Sequence, residues 1–525
     1  MKAFTEPLLS LAGFEEMTKT AEKSSGLISV TGCIDAQKSQ MIYAFGGHRK
    51  NKLIVTFGEQ KAKELYDEYS FFDKEVVYYP SKDVLFYQSD IRGNLLTAER
   101  IRALKAIREQ ERVTLVTTFD ALMNTMAPIE KMWENVLTLE QGQLLDLKEI
   151  QAALIRMGYE KEYQVQTMGQ FSVRGGILDV FPLTEENPIR IELWGDEIDT
   201  IRYFDCESQK SIENIDRVSI YPAAELVLSD EEKAGGIDKL KAEAKRVSDK
   251  LRKQMKTEEA HRVTVMADEL TEEWGELSMY AGMDAFLSYF FDERVGILDY
   301  FNPSDSLIFF DELTRCTEQG KLTETEFSES MKQRLAMGYI LPGQMNGLFT
   351  EKEIVAKLGK YSCIALAALD NKANGLHQLG SYGIHCQSVS PYNNSFELLI
   401  KDLKRYKKNG YRVILLSGSR TRAKRLSEDI TDQGITCFYT ENYDHELFEG
   451  QIMVCYGKVR RGFEYPILKF AVITESDIFG AQQKKKKRHR TYEGEKIQSF
   501  TDLSVGDYVV HENHGLGIYR GIEKL

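Results

Sequence analysis

The sequence predicts an α/β protein of several domains. Residues 1–120 alternate short β-rich runs with helical stretches, which indicates a parallel sheet with helical crossovers. Residues 158–204 contain two strand pairs marked by glycine turns, which is typical of an antiparallel β-rich domain. Residues 383–482 alternate strands and helices again and predict a second, smaller α/β domain.

The overall composition limits the class of protein. At 525 residues with 42% hydrophobic residues, the chain is long enough for several buried cores. Its net charge of −13 argues against a surface built wholly for duplex DNA, although local patches matter more than the sum. No run of about 18 apolar residues occurs, so we expect no membrane span and a cytoplasmic protein.

The cysteines and histidines predict no metal site. The seven cysteines are scattered without a C-x-x-C pair, and the eight histidines do not cluster. His511 and His514 lie three residues apart in a turning segment with no third ligand nearby, which is more typical of packing residues than of a zinc site. We therefore expect a reduced protein without disulfides and without a resident metal.

The most informative loop of the first domain follows its first β-rich run. Residues 32–39 have the spacing of a phosphate-binding loop, G-x-x-x-x-G-K-[ST], but glutamine replaces the second glycine. That glycine lets the backbone turn its N–H groups onto the phosphates, so the sequence predicts no ATP binding. The run at 307–312, four apolar residues followed by Asp311 and Glu312, resembles the metal-binding strand (Walker B) of such sites. This degenerate, inactive nucleotide site comprises Gly32, Gln37, Lys38, Ser39, Asp311 and Glu312.

The strand pairs at 158–204 predict one apolar and one polar face. Gly175-Gly176 and Gly195-Asp196 provide the turns, and alternation places Phe171, Val173, Ile189, Ile191 and Leu193 on the apolar face. Arg174, Arg190 and Trp194 fall on the polar face. Tryptophan and arginine provide large contact area and directional donors, which favours a protein-binding surface; a tryptophan at the rim of the sheet is the alternative.

The wording of this stretch resembles the inserted domain shared by the excision-repair helicase UvrB and the bacterial transcription-repair coupling factors. The matching segments are MGYEKEYQV, FSVRGGILDVFP, IRIELWGDEID and IRYFD. The resemblance implies that residues 121–218 dock onto UvrA and that Arg174, Arg190 and Trp194 lie at the contacting positions. It also implies that this domain interrupts a UvrB-like α/β domain, 1–120 and 219–350, which the strand at 307–310 completes.

Two features favour the coupling factors over UvrB. YPSKDVLFY at 79–87, followed by Glu99 and Arg100, resembles the first module of both families. The UvrB family inserts a tyrosine-rich, DNA-threading hairpin after this point, whereas residues 88–99 contain no aromatic residue. Together with Gln37, this absence indicates a module that has lost the chemistry of UvrB.

The two later domains carry weaker local signals. In the helical part of 219–350, Lys239 and Glu243 have the i, i+4 spacing of a surface ion pair. In the small α/β domain at 383–482, the segment 417–420 is interpreted either as an anion site or as a helix cap. In the coupling factors this position holds a third domain without assigned chemistry.

A basic linker at 483–498 follows. Its concentrated basic run consists of Lys484 to Lys487, Arg488 and Arg490, with His489. Like charges at this density favour a solvated linker, and contact with DNA or RNA polymerase is the alternative.

The last segment, 499–525, predicts two strands that begin a small barrel. Its wording, GDYVVHENHGLGIYRGI, resembles the start of the RNA-polymerase-interacting domain of the coupling factors, a CarD-like Tudor or SH3-like barrel that pairs with the polymerase β subunit. The resemblance implies that this region begins at Asp507 and includes Gly517 and Leu525. We expect the rest of the barrel, and the motor with its ATP, magnesium and double-stranded DNA, to lie beyond Leu525.

The leading hypothesis is therefore an adaptor that recruits UvrA to RNA polymerase stalled at DNA lesions, without cofactor or ATPase activity of its own. In the intact protein, the resemblance implies ATP-driven translocation on DNA that releases the polymerase. The alternatives are a UvrB-like excision-repair ATPase and a CarD-like polymerase regulator.

Overall fold

The structure is a computed structural model that describes residues 1–46, 49–82, 94–276, 283–369, 375–480, 508–511 and 515–518. The chain divides into two compact units, 1–480 and 481–525. None of the described helices is both long enough and apolar enough to cross a membrane. The fold is α/β with several domains, as the sequence predicted.

The first 134 residues contain the helices and strands of the first module. Its helices are α1 (Lys2–Thr5), α2 (Phe14–Lys23), α3 (Asp35–Gly46), α4 (Glu59–Tyr69), α5 (Asn94–Glu109), α6 (Phe119–Met123) and α7 (Ile129–Glu134), with a 3-10 helix at Glu6–Ser10. Its strands are β1 (Gly26–Thr31), β2 (Asn51–Thr56), β3 (Val76–Tyr79) and β4 (Val113–Thr118).

The next elements alternate between β-rich and helical regions. The β-rich region holds β5 (Leu137–Glu140), α8 (Leu147–Arg156), β6 (Glu160–Lys161), β7 (Gln170–Arg174), β8 (Ile177–Val180), β9 (Ile189–Trp194), β10 (Glu197–Phe204), β11 (Ser211–Ile215) and β12 (Arg217–Ile220). The region after it holds α9 (Asp230–Lys253), α10 (Thr257–Glu276), α11 (Leu287–Phe290), β13 (Ser306–Asp311), α12 (Leu313–Ala336), α13 (Glu351–Leu358), β14 (Ser362–Leu366) and β15 (Gln378–Gly383). Short 3-10 helices lie at Met283–Phe286, Ile297–Tyr300 and Pro342–Asn346.

The remaining elements form the third domain and a terminal hairpin. The third domain holds β16 (Gln387–Ser388), α14 (Phe396–Lys408), β17 (Arg412–Ser417), α15 (Arg420–Asp432), β18 (Phe438–Tyr439), β19 (Ile452–Tyr456), β20 (Phe463–Tyr465), β21 (Phe470–Thr474) and α16 (Glu475–Phe479). The hairpin holds β22 (Tyr508–His511) and β23 (Gly515–Ile518).

A seven-stranded sheet in the order β15-β1-β14-β13-β2-β4-β3 organises the first module. All of its pairs are parallel. Strand β13 lies between β14 and β2, with Phe309 beside Ile54 and Ile364. The chain therefore returns to the middle of this sheet after the β-rich region.

Both faces of this sheet are buried, because successive side chains of each strand enter different cores. In β13, Ile308 and Phe310 pack into a core with α5, α6 and α12, whereas Leu307 and Phe309 pack into a core with α3 and α4. This explains why the strands read as nearly continuous apolar runs.

The inserted region is a six-stranded sheet in the order β11-β10-β9-β8-β7-β6, antiparallel except for the β6–β7 pair. Both predicted turns are two-residue loops, with Gly175 at φ +60° and Gly195 at φ +66°. Helix α8 covers the apolar face, where Phe171, Ile189 and Ile191 are buried as alternation predicted.

The inserted fold starts later than residue 121. Phe119, Leu122, Ile129 and Met132 pack in the core of the first sheet, and the first strand of the inserted region begins at Leu137. The sequence of an apolar helical segment does not reveal which core it packs into. The boundary predicted at residue 121 therefore lies earlier than the first strand of the inserted region.

A buried ion pair joins the inserted region to the first module. Arg100 lies on the Tyr79 ring, 4.0 Å from its centroid, and its Nε and Nη2 donate to the two Glu225 oxygens at 2.7 and 3.1 Å. Burial opposes ionisation of Glu225, but Arg100 and Lys82 lower its pKa to about 2. The carboxylate therefore stays charged and fixes this junction.

The charged helices α9 and α10 pair differently from the sequence prediction. Lys239 Nζ lies 3.0 Å from Asp292, and Glu243 accepts hydrogen bonds from the Tyr289 hydroxyl and the Gly343 amide. The expected Lys239–Glu243 pair was wrong, because Glu243 holds the loop that covers α9.

The third domain has a sheet in the order β16-β20-β21-β17-β19-β18. It packs against α3 and α4 of the first module, and Tyr465 donates its hydroxyl to Gln40 at 3.3 Å in this shared core. At the same contact, Glu68 of α4 accepts hydrogen bonds from the Arg460 amide at 3.1 Å and the Ser39 hydroxyl at 3.4 Å.

This contact makes stability depend on pH. Burial raises the pKa of Glu68 from 4.5 to about 7. Between these values the folded chain binds more protons than the unfolded chain, so the contribution of Glu68 to stability falls as pH rises through this window. We expect Glu68→Gln to stabilise the chain by up to about 3 kcal/mol at pH 8 and by little at pH 4.5, measured by urea unfolding.

Glu64→Gln is the matched control on the same helix. The Arg460 side chain lowers the pKa of Glu64, so this variant should lose stability at high pH instead of gaining it. Identical pH profiles for wild type and Glu68→Gln would contradict the prediction.

The terminal unit contains one described hairpin, in which Tyr508 pairs with Ile518 and His511 with Gly515. Gly517 lies in β23, opposite Val509. Asp507, His514, Leu525, the basic linker and residues 83–93 lie outside the described residues.

Candidate functional site

The polar face of the inserted sheet is built on a buried carboxylate. Asp179 of β8 is 1% exposed and accepts hydrogen bonds from Arg174 Nη2 at 2.7 Å and from Arg190 Nε and Nη2 at 2.7 and 2.8 Å. Arg190 lies directly opposite Asp179 across β8 and β9. The structure thus brings together two of the three predicted residues through a partner that the prediction did not include.

The two arginines differ in their freedom. Arg190 is 14% exposed; it lies 4.4 Å from the Phe204 ring centroid and also donates to Gln209 Oε1 at 2.9 Å. Its hydrogen bonds to Asp179 raise its pKa. Arg174 is 36% exposed and makes a single bond to Asp179. Arg190 is therefore locked in place, while Arg174 keeps donors for a partner.

Trp194 lies at the end of the same face. It shares the parity of Arg190 in β9, about 13 Å along the strand, and is 84% exposed. The arginine pair and the tryptophan are therefore separate parts of one face, and we call Arg174, Asp179, Arg190 and Trp194 the docking face. An aromatic side chain this exposed gains contact area only from a partner.

Leu144 extends the tryptophan end of the docking face. Glu197 pairs with Trp194 on one side and with Leu144 on the other. Directly paired residues in antiparallel strands point to the same face, so Trp194, Glu197 and Leu144 form a row across three segments. Leu144 is 75% exposed. Its contribution was missed because it precedes a helix and belongs to no strand pattern.

The sequence signal for Asp179 was present. Asp179 is the one charged residue in the run ILDVF, and it lies on the same parity as Ile177 in β8. A lone carboxylate on a strand between two strands that carry arginines is typical of a buried ion pair. Predicting this pair requires knowing which strands are adjacent as well as which residues share a face.

The second predicted site, around Lys38, is closed by its own side chains. Lys38 is buried, and its ammonium lies 2.5 Å from Asp311, 3.0 Å from Glu312 and 3.2 Å from Asp35. Asp311 also accepts from the Thr56 hydroxyl at 3.0 Å. Although burial opposes the charge of Lys38, Asp311 and Glu312 raise its pKa. The cation that would hold phosphates is thus neutralised internally.

The loop before Lys38 is equally filled. Gln37 is fully buried, and neither its Nε2 nor its Oε1 has a hydrogen-bond partner in the described chain. Gly32 has φ +77°, and a Cβ there would lie 2.1 Å from the Ile384 carbonyl oxygen. The Ile384 carbonyl therefore packs directly against Gly32, and Ser39 donates to Glu68. Of the six predicted residues, Lys38, Asp311 and Glu312 are thus brought together by ion pairs, while Ser39 bonds to Glu68 and Gly32 packs against Ile384.

The segment 417–420 of the third domain holds an anion of the chain itself. The Glu475 carboxylate accepts from the Ser417 hydroxyl at 2.9 Å, from the Gly418 amide at 2.7 Å and from Arg422. Ser419 is the N-cap of α15 but makes no side-chain capping bond. Of the two open interpretations, the structure favours an anion site that Glu475 fills.

Groups of three or more His, Cys, Asp or Glu side chains with metal-binding geometry are absent from the described residues. The three carboxylates around Lys38, those of Asp35, Asp311 and Glu312, are held by its ammonium.

Two family models match the chain at the regions singled out by sequence. The UvrB interaction domain matches residues 137–226, and the CarD-like/TRCF RID domain matches residues 503–525. The first match contains the whole docking face and begins at β5, where the inserted fold begins.

Curated relatives confirm the predicted resemblance over nearly the whole chain. Transcription-repair-coupling factor of Bacillus subtilis (strain 168) is 29% identical over 475 residues, 90% of this chain and 40% of the relative. The Staphylococcus haemolyticus (strain JCSC1435) protein of the same name is 29% identical over 95% of this chain and 42% of its own length. The Staphylococcus aureus (strain MRSA252) protein is 28% identical over 98% and 43%. The chain thus spans about two fifths of the length of these relatives.

Proposed function

We propose that this chain is the adaptor part of a transcription-repair coupling factor, which recruits UvrA of nucleotide excision repair to RNA polymerase stalled at a DNA lesion. The proposal rests on the docking face, a preorganised arginine pair with an exposed tryptophan inside the region matched by the UvrB interaction domain. Sequence similarity to coupling factors over at least 90% of the chain supports it.

The chemistry of the docking face defines what UvrA has to offer. Asp179 holds both arginines, and the exposed Arg174, which makes a single bond to it, keeps further guanidinium donors for carboxylates or carbonyls of the partner. Trp194 and Leu144 require an apolar contact. A partner with an acidic patch about 13 Å from an apolar depression fits this face.

The tryptophan end provides a direct test. We expect Trp194→Ala to weaken UvrA capture by at least about 2 kcal/mol, or roughly thirtyfold, because exposed aromatic anchors dominate such interfaces. Leu144→Ser should weaken it less, by about threefold to tenfold. Titration of immobilised UvrA with each variant by surface plasmon resonance measures both losses.

Leu322→Ser is the matched control, since Leu322 is a similarly exposed leucine on α12 outside the docking face. Equal UvrA affinity of wild type and Trp194→Ala would overturn the docking face. If UvrA binds neither the wild type nor the control, that result would overturn the adaptor function itself.

The terminal hairpin supports the second half of the proposal. Residues 503–525 match the CarD-like/TRCF RID domain, and we propose that they begin a Tudor or SH3-like barrel that binds the RNA polymerase β subunit, starting at Asp507 and continuing through Gly517 to Leu525. In the intact protein, ATP-driven translocation on double-stranded DNA would then push on the stalled polymerase.

The alternatives are less well supported. A UvrB-like excision-repair ATPase needs a free lysine in its phosphate loop, and Lys38 is held by three carboxylates. A CarD-like polymerase regulator explains residues 503–525 but not the docking face or the length of the similarity to coupling factors.

A further inference from the structure

The carboxyl edge of the third-domain sheet is a second surface with a distinct chemistry. Strands β21, β17, β19 and β18 are parallel neighbours, so their carboxyl ends meet at one edge. Ligands of open α/β sheets bind outside this edge. The segments that leave it from β17 and β19 are residues 417–425 and 458–461.

These two segments concentrate positive charge. We call their seven exposed cations the basic edge: Arg420, Arg422, Lys424, Arg425, Lys458, Arg460 and Arg461. Three are paired, Arg420 with Glu441, Arg422 with Glu475 and Arg460 with Glu64. Among the described residues, no carboxylate lies within 4.0 Å of the other four. Arg461 also attracts the Asp477 carboxylate, which follows β21 at the same edge. Within a chain of net charge −13, Lys424, Arg425 and Lys458 are therefore the cations of the basic edge for which the described residues provide no carboxylate partner.

The charge order along α15 works against the helix itself. Its first six residues carry four cations, its last turn has no basic residue, and Glu428, Asp429 and Asp432 occupy its second half. A helix dipole favours the reverse order, by about 0.3–1 kcal/mol for each charge. Glu441 and Glu475 offset this cost at Arg420 and Arg422. Lys424 and Arg425 have no such partner among the described residues, so an anion bound above the edge would offset the remainder.

The composition of the basic edge indicates phosphate groups. Arginine, which binds phosphate oxygens in bidentate fashion, outnumbers lysine, and the hydroxyls of Ser419 and Thr421 lie among the cations. None of residues 417–425 and 458–461 is an exposed large apolar side chain. Protein interfaces centre on such anchors, so the missing anchor disfavours an acidic protein as partner.

We propose that the basic edge binds the phosphate backbone of double-stranded DNA without reading its sequence. It lies in the third domain and uses none of the docking-face residues, so this binding goes beyond the proposed recruitment of UvrA. Each cation that contacts a phosphate releases a counterion, which makes the affinity fall steeply with salt.

The test compares charge reversals of equal size. One variant carries Lys424→Glu, Arg425→Glu and Lys458→Glu; the control carries Lys241→Glu, Lys245→Glu and Lys250→Glu on exposed positions of α9. Fluorescence anisotropy with a labelled duplex is measured over a salt series. We expect the first variant to lose at least about tenfold in affinity and to reduce the salt slope by about 0.9 for each lost phosphate contact, and the control to bind like the wild type.

A parallel series repeats the experiment with Lys484 to Lys487 replaced by alanine in the wild type, the reversal variant and the control. The basic linker then cannot account for the anisotropy change. Equal affinity of the reversal and the control, or loss of all binding once the linker is neutral, would overturn the proposal. So would competition by polyglutamate but not by unlabelled duplex, which would assign the edge to an acidic protein. An unchanged urea-unfolding transition, followed by circular dichroism, shows that the variants fold; if the transition shifts, Lys424→Ala with Lys458→Ala replaces the reversal.

Discussion

Replacement of both Arg174 and Arg190 by alanine is expected to abolish UvrA capture by the chain. Arg174 keeps the donors that a partner can reach, and Arg190 fixes the Asp179 carboxylate that positions Arg174. Loss of central donors at an interface costs at least about 2 kcal/mol, or roughly thirtyfold in affinity. Their removal also leaves the Asp179 carboxylate buried without a cation. A pull-down with purified UvrA, followed by titration, measures the loss.

The buried carboxylate complicates this result, because an unpaired charge destabilises the inserted sheet by several kcal/mol. Adding Asp179→Asn to the double variant removes that charge, so the triple variant should recover much of the lost thermal stability and still fail to capture UvrA. Recovery of capture together with stability would show that the arginines only support the fold.

Single variants separate the roles of the two arginines. In Arg174→Ala, Arg190 still donates two hydrogen bonds to Asp179. We therefore expect an unchanged melting temperature and a moderate loss of UvrA affinity. Arg156→Ala is the control within the same domain, because Arg156 is an exposed residue of α8, on the opposite side of the sheet. Undiminished capture by the double variant would contradict the docking face.

Local sequence patterns were enough to predict those features of the docking face that depend only on residues close together in sequence. Alternation and the Gly175 and Gly195 turns predict which side chains share a face, because strand geometry has period two. They do not predict which strands are adjacent. Asp179 became part of the site only through the pairing of β8 with both β7 and β9.

The errors and omissions share one physical cause, the choice of a partner distant in sequence. Lys239 pairs with Asp292 rather than with Glu243, one helical turn away. Residues 119–132 join the first core although they precede the inserted region directly. Glu475 fills an anion site 58 residues from Ser417. In each case the local sequence is compatible with several interaction partners, and tertiary packing determines which of them is used.

Lys38→Met is expected to destabilise the chain by about 3–5 kcal/mol. Methionine keeps much of the volume of the lysine but removes the cation that neutralises Asp311, which is buried beside Glu312. Removing one partner of a buried ion pair lowers the free energy of unfolding by this amount, because the remaining charge is buried away from solvent and unpaired. Urea unfolding followed by circular dichroism measures the loss in the transition of the first module.

A second substitution separates charge from packing. Lys38→Met with Asp311→Asn should recover most of the stability, since neutral asparagine can still accept from Thr56, and the coupling in this double-variant cycle measures the ion pair. If the site instead served ATP, magnesium and ATP would raise the melting temperature of the wild type and not of Lys38→Met. No shift is expected, because a nucleotide would first have to displace three carboxylates from Lys38. The ammonium of Lys38 thus links helix α3 to the end of β13.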